Sequence, residues 1–277
     1  MTPFIPDRKS GCWDFRTSDE LILSNDFEDL GYVVTHGNSN FLELIKQSLV
    51  LECEKFTSKV FDSRLDHKLE NIHQFIDSSC SNQLRLSILN GSLRSLDACS
   101  NYYNASKNIV HVLCGNELAM QKSIGLSINF PQNRDDALAI HADTWNGVSP
   151  YELNIWIPLV DCSKSMCLYI LNRHEYLRSL SDYPGLLNNS SDEIFSRLES
   201  RMTWIEIKYG DILAFDQSLP HGYITNKENR THWSLNCRFK GLHTPYWDKK
   251  LGEYFMPITT RSCTKLGLNY QHPTDWL

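Results

Sequence analysis

The spacing of apolar positions divides the chain into two textures. From residue 39 to about 115, apolar residues recur at three- and four-residue steps, the period of a helix with one buried face. Phe41, Leu44, Ile45, Leu49 and Val50 set the first such face, and Ser39 or Asn40 can cap it. Leu69, Ile72, Phe75 and Ile76 continue the style, as do Leu84, Leu86, Ile88 and Leu89, until Asn90-Gly91 breaks it. Residues 39–115 therefore predict a helical layer. Ahead of them, in an opening segment 1–38, Tyr32-Val33-Val34 follows Gly31 and reads as a strand.

Near residue 120 short β-rich runs separated by turn residues take over: 124–130, 137–141, 152–159, 167–171, 203–207, 211–215, 221–225 and 231–239. Eight such runs after a helical layer predict an α+β fold. Its core would be a double-stranded β-helix (a cupin-like jelly-roll), with the N-terminal helices packed on one sheet. Within the insert 176–200, Ser190 and Glu193 have the spacing of a helix cap, and Ile194, Phe195 and Leu198 give the short helix a buried side. The tail, rich in tyrosine and tryptophan, is expected to wrap the barrel. The expected organisation is a single domain over 1–277. It comprises a strand and helical layer at 1–118, the jelly-roll core at 119–245 and a C-terminal wrap at 246–277.

Composition narrows the class. With 277 residues, 41% of them hydrophobic and 11% aromatic, the chain can bury a substantial core. A formal charge of −6 with no lysine/arginine block argues against a nucleic-acid surface. The nine cysteines are odd in number and include no CxxC, as expected for free thiols in a reducing cytoplasm. The N-terminal run MTPFIPDRKSGCWDF lacks an apolar core of signal-peptide length. No stretch approaches the ~20 apolar residues of a membrane span. The expected partner is a small molecule, with no nucleic acid or membrane, on a cytoplasmic monomer or homodimer.

Three side chains carry the candidate chemistry. His141 and Asp143 stand two residues apart at the end of a predicted strand, so they project to one side if strand geometry persists. No other HxD occurs in the chain, and His221 lies 78 residues beyond Asp143, directly after Pro220. A jelly-roll can bring such distant strands side by side. Two imidazoles and one carboxylate on one face match the set that holds non-heme Fe(II) with open positions. Zinc accepts the same donors, and an open fourth position would then give a hydrolase, although HExxH and paired cysteines are absent. Hydrogen-bonded histidines at strand ends, with Asp143 in a turn, are the plain alternative. That alternative would suit a sugar-binding jelly-roll; a non-oxidative sugar isomerase or epimerase is a further possibility.

Beyond His221, the residues Arg230, His232, Ser234, Asn236 and Arg238 alternate onto one face of a predicted strand. Thr231, Trp233, Leu235, Cys237 and Phe239 form the other. Two guanidiniums inside a small barrel are costly unless they meet an anion. The competing reading makes this the solvent face of an edge strand. Trp145 and Asn146, just past the HxD, and Arg173, after the fourth core strand, are candidates for contact with a polyol or sugar. Alternatively, Trp145 packs in the barrel and Arg173 is solvated.

Five stretches, SINFPQN, IHADTWNGVSPYELNIWIPLVDC, SMCLYILNRHEY, GDILAFDQSLPHG and HWSLNCRFK, lie in order across about residues 120–245. Together they resemble the phytanoyl-CoA hydroxylase-like branch of the Fe(II)/2-oxoglutarate dioxygenases. Within it they look most like the oxygenases of sporadic carbohydrate-biosynthesis clusters. The resemblance implies iron on His141, Asp143 and His221. It also implies 2-oxoglutarate as co-substrate, held by an arginine of the last strand, and O₂ as oxidant. The expected outcome is oxidation of a C–H bond, hydroxylation first, on a sugar, nucleotide-sugar or related metabolite, with release of succinate and CO₂. Two departures stand out. Many relatives carry Arg-x-Ser where this chain has His232-Trp233-Ser234, which leaves Arg238, then Arg230, to hold the carboxylate beside Ser234 and Asn236. LNRHEY replaces a Pro-Gly-Ser-His turn. Asp143 separates the chain from halogenating relatives, which lose that carboxylate.

Overall fold

The structure, a computed structural model, describes residues 15–59 and 69–273. The N-terminal run, Cys12 and the start of the second helical stretch lie outside the described residues. A capping box opens the described chain: Thr17 Oγ1 accepts from Glu20 N at 3.3 Å, and the Glu20 carboxylate accepts the Thr17 N–H at 2.8 Å. It starts α1 (Ser18–Leu30), which ends at Gly31 in the left-handed conformation, φ 79°. A side chain at Gly31 would also collide with Leu219. This helix was not expected in the opening segment, while the strand expected there forms as β1 (Tyr32–His36).

Next come α2 (Ser39–Thr57), α3 (Ser81–Asn90) and α4 (Leu96–Cys114). Asn38, one residue before the expected caps, accepts from Asn40 N at 3.2 Å. The buried stripe of α2 is Leu42, Ile45, Leu49 and Cys53, while Leu44 is 49% exposed. Ile45, Leu49 and Val50 of the expected face are buried and Phe41 packs against the core, so only Leu44 departs from it, with Leu42 buried instead. Leu86 and Phe75 are likewise exposed, while Leu84, Ile88, Ile72 and Ile76 are buried.

Among the described residues, eleven strands follow or precede these helices, and all pairings between them are antiparallel. They are β1, then β2 (Leu118–Gln121), β3 (Gly125–Asn129), β4 (Leu138–His141), β5 (Leu153–Pro158), β6 (Leu168–Ile170), β7 (Thr203–Ile205), β8 (Asp211–Asp216), β9 (His221–Tyr223), β10 (His232–Gly241) and β11 (Phe255–Thr259). The larger sheet runs β1-β8-β5-β10-β2-β11, with β3 also on β10, and the smaller runs β4-β9-β6-β7. All eight expected core strands form; β2 and β11 were not expected.

The helical layer covers the larger sheet. Trp233, Leu235, Cys237 and Phe239 are fully buried on the face of β10 that meets it. Tyr102 of α4 stacks on Phe239 with centroids 6.3 Å apart and donates to Ile155 O at 2.6 Å. Trp233 Nε1 donates to Leu69 O at 2.8 Å. Burying each such leucine or isoleucine contributes about 1.5–3 kcal/mol, which fixes β10 against the helices and turns its polar residues toward the smaller sheet.

The insert after β6 holds α5 (Arg173–Asp182) and α6 (Ser191–Leu198). The expected cap is present: Ser190 N donates to Glu193 Oε2 at 2.9 Å, and Ile194 and Leu198 are buried. After β11 the tail forms α7 (Ser262–Leu268). No helix among the described residues is long and apolar enough to cross a membrane.

Candidate metal centre

β4 and β9 pair directly, with His141 opposite His221, so two residues 80 apart in sequence become neighbours. Their rings lie 4.4 Å apart, centre to centre. The backbone turns just after β4, and Asp143 starts a short 3-10 turn, Asp143–Asn146. That bend brings its carboxylate to 3.9 Å from His141 Nε2. One donor atom from each of His141, Asp143 and His221 lies within 4.8 Å of the others. Asp143 and His221 are buried, while the His141 side chain keeps 25% exposure and leaves one side open.

Hydrogen bonds prepare both imidazoles as ligands. His141 Nδ1 faces Ala139 O at 3.0 Å and His221 Nδ1 faces Leu219 O at 2.9 Å. A carbonyl can only accept, so each Nδ1 carries the proton and each Nε2 presents a lone pair. Second-partner bonding of this kind orients metal-binding histidines. Burial, then the neighbouring His141, pushes the His221 pKa down to about 4, which keeps it neutral at physiological pH. This donor set fits a divalent first-row metal.

Arg238 completes the cluster from the larger sheet. Its Nη2 donates to Asp143 Oδ1 at 2.7 Å, and its Nη1 donates to the Tyr254 hydroxyl. Gln121 Oε1 also lies near Nη1, at 3.5 Å. Burial opposes the charge, yet Asp143 and Tyr254 hold the Arg238 pKa above its ordinary value. Gln217 lies on the other carboxylate oxygen. Its amide nitrogen donates to Asp143 Oδ2 while its oxygen accepts from Asn154 N at 3.0 Å. Two buried polar atoms nearby have no protein partner: Asn154 Oδ1 and Arg173 Nε. Such atoms mark a place where a polar ligand would be stabilised.

The other expected anion-site residues are spread along β10 and its approach. Arg230 precedes the strand and is held by Glu70 at 3.1 Å. His232 and Ser234 are buried between the sheets, bonded to each other at 3.0 Å. The Asn236 amide lies against Gly125 at the edge next to β3. Of the substrate candidates, Arg173 pairs with Asp216 at 2.7 Å, Trp145 Nε1 donates to Tyr176 at 3.3 Å, and Asn146 is exposed. Trp145 and Arg173 thus occupy the turn after β4 and the start of α5.

Gln217, Tyr254, Gln121 and Tyr223 join the site without having been singled out in the sequence. Gln217 sits inside GDILAFDQSLPHG, four residues before His221, and that proximity was a usable signal. Tyr254 comes from the tail and nothing local marked it. A cavity of about 680 Å³ opens between α3, β3 and the segment before β4, with Tyr223 among its lining and several serines and asparagines around it.

No family model and no curated protein matches the sequence. Solved structures do match the fold. The non-heme monooxygenase ThoJ, in a nickel complex, superposes with a TM-score of 0.55 at 14% identity, covering 87% of this chain and 85% of its own. EvdMO1 gives 0.52 at 14% identity, over 80% of this chain and 50% of the other. SnoK, a non-heme alpha-ketoglutarate-dependent carbocyclase from nogalamycin biosynthesis, gives 0.51 at 14% identity over 88% and 97%. Two antiparallel sheets under a helical layer, with the candidate metal face between β4 and β9, therefore form a fold shared with non-heme oxygenases.

Proposed function

We propose that this chain is an Fe(II)- and 2-oxoglutarate-dependent oxygenase that oxidises, by hydroxylation, a C–H bond of a small polar metabolite. In this reading the two sheets are a double-stranded β-helix, and His141, Asp143 and His221 hold the iron. The observation that carries the proposal is the pair of Nδ1-anchored imidazoles with Asp143 on one open face. A face of three protein donors leaves room for a chelating co-substrate and O₂. When bound, iron would activate O₂ as the oxidant, and 2-oxoglutarate would supply two electrons and leave as succinate and CO₂.

The protein's own part is positional. Leu219 and Ala139 carbonyls fix the ring orientations. Gln217 and Arg238 hold the Asp143 carboxylate between them. Arg238 also places a positive charge beside the metal, where it can meet the carboxylate of a chelating 2-oxo acid. Buried Phe215 packs edge-on to His221 at 4.8 Å and keeps water from that side. The unpartnered Asn154 Oδ1 can accept from a ligand at the metal. Trp145 and Arg173 are proposed to meet the substrate at the rim, with Asn146 outside them. A sugar or nucleotide-sugar is the proposed class, supported by the resemblance to carbohydrate-cluster oxygenases and by polar side chains at the rim.

The test is succinate formation by anaerobically purified protein given Fe(II), 2-oxoglutarate and air. Turnover that requires all three and disappears in His221→Ala supports the proposal. A protein that binds Mn(II) but neither binds nor consumes a 2-oxo acid would instead be a non-oxidative metal enzyme, such as a sugar isomerase or epimerase.

A further inference from the structure

Inward of the metal face, the space between the sheets is lined by uncharged groups. Tyr223 lies two residues past His221 on the same face of β9. Its hydroxyl accepts from Trp156 Nε1 and shares a hydrogen bond with Ser234 Oγ at 3.2 Å. Ser234 is bonded to His232 Nε2 at 3.0 Å, and His232 Nδ1 meets Cys162 Sγ at 3.3 Å. The His232 ring lies nearly parallel to Trp156, at 15°, and is fully buried. Phenol, indole, hydroxyl, imidazole and thiol are all satisfied by one another. Burial pushes the His232 pKa down to about 3 and raises that of Cys162, so both are neutral at physiological pH.

Each arginine around the site already pairs with a carboxylate, although Arg173 Nε is left without a partner. Arg173 is paired with Asp216 at 2.7 Å, Arg230 with Glu70 at 3.1 Å and Arg238 with Asp143 at 2.7 Å. Lys240, next on the Arg238 face of β10, donates to Pro245 O at 2.7 Å and is capped by the Tyr246 ring. Arg238 alone touches a metal ligand. It therefore reaches the chelating end of a bound 2-oxo acid, the part that every member of the class shares. A second carboxylate projecting inward would meet the Tyr223–Ser234–His232 network, where an unpaired anion is costly.

We infer that this centre recognises its 2-oxo acid through the chelating end alone, with His232 in place of a cation making it indifferent to a distal carboxylate. The inference rests on the proposed co-substrate class and adds its selectivity. Pyruvate, which carries the same chelating group without the second carboxylate, binds about as well as 2-oxoglutarate.

The experiment is calorimetric titration of the Mn(II)-loaded full chain with each acid in the absence of oxygen-dependent turnover. The expected result is dissociation constants within about threefold of each other. Arg238→Gln is expected to weaken both by the same factor. A buried charge-assisted bidentate contact to the distal carboxylate would instead favour 2-oxoglutarate by roughly a hundredfold. That preference would overturn the inference while leaving the co-substrate reading intact, and so would an Arg238→Gln effect confined to 2-oxoglutarate. Failure of both acids to bind a protein that holds Mn(II) would overturn the inference and the co-substrate reading together. A third arm uses His232→Arg: if it folds, a gain for 2-oxoglutarate with no gain for pyruvate supports the assignment, and equal gains count against it. The wild-type ratio decides the matter without that variant.

Discussion

At the scale of single residues, His232 and Arg238 each exchange one kind of stability for another. His232 is buried and neutral, with a pKa near 3 against the ordinary 6.5. The unfolded chain therefore binds a proton below pH 6.5 that the folded chain refuses until about pH 3. Stability from this group is present above pH 6.5 and is lost as pH falls toward 3. At pH 5 the loss is about 2 kcal/mol, because only the unfolded pKa enters there. Urea unfolding of the metal-free protein at pH 7 and pH 5 checks this. His232→Gln is expected to reduce the pH dependence by roughly that amount, and an unchanged pH dependence would contradict it. For Arg238, substitution by Met leaves the buried Asp143 carboxylate facing only Gln217. The expected cost is about 1–3 kcal/mol in metal-free protein. Saturating Mn(II) is expected to restore most of it, since the ion replaces the lost cation. Equal costs with and without Mn(II) would show that Asp143 does not bind the metal.

At the scale of elements, β9 does the most with the fewest residues. Its three residues are His221, a glycine and Tyr223, all buried. A Cβ at Gly222 would overlap the Tyr169 hydroxyl and the Leu138 carbonyl, on the two strands that flank β9. Gly222→Ala is therefore expected to push β4 or β6 away and to cost 2 kcal/mol or more, roughly the scale of overpacking. The same shift would separate His141 from His221. Thermal unfolding would show the first effect and a weakened Mn(II) titration the second. Retention of wild-type metal affinity would mean that the strands tolerate the displacement. By contrast, the cap of α6 is an exposed first turn, although the helix itself packs on β4 through Ile194 and Leu198. Ser190→Ala is expected to cost about 1 kcal/mol and to leave metal binding unchanged.

Element by element, legibility in the sequence followed locality. The eight core strands were readable because alternation and turn residues are local signals. The cap at Ser190 and Glu193 was readable because it spans four residues. Helix α1 was missed although Thr17 and Glu20 carry the same cap spacing, since its apolar residues form no clear stripe. The buried face of α2 was readable at Ile45, Leu49 and Val50 but not at Leu42 against Leu44, because the two are equally apolar and only packing decides between them. β2 and β11 were missed because each is short and gains its pairing from a distant partner. The triad was readable as an HxD and a later histidine. The pairing of Arg238 with Asp143 was not, because it joins the larger sheet to a turn after the smaller one.

At the scale of the whole molecule, all three candidate metal donors belong to the smaller sheet and the turn after its strand β4, and the larger sheet meets them through Arg238. The apolar core does not divide by sheet: Leu168, Ile170 and Ile205 of the smaller sheet join Ile155, Leu213 and Leu235 of the larger in one cluster. A bound ion thus cross-links β4, the turn after it and β9 within one sheet. Mn(II) at a hundred times its dissociation constant is expected to add about 2.7 kcal/mol, raising the melting temperature by a few degrees. His141→Ala is expected to abolish the rise, and a rise that persists would place the ion elsewhere.

Tyr254, the residue that closes the hydroxyl side of the Arg238 shell, precedes β11 directly, and β11 is the outermost strand of its sheet. Outer strands fray before inner ones. The arginine's electrostatic environment is therefore tied to the part of the sheet that opens most often. Amide exchange would register the opening of β11, and Mn(II) affinity, which reads the grip on Asp143, is expected to fall with it in variants that weaken that edge.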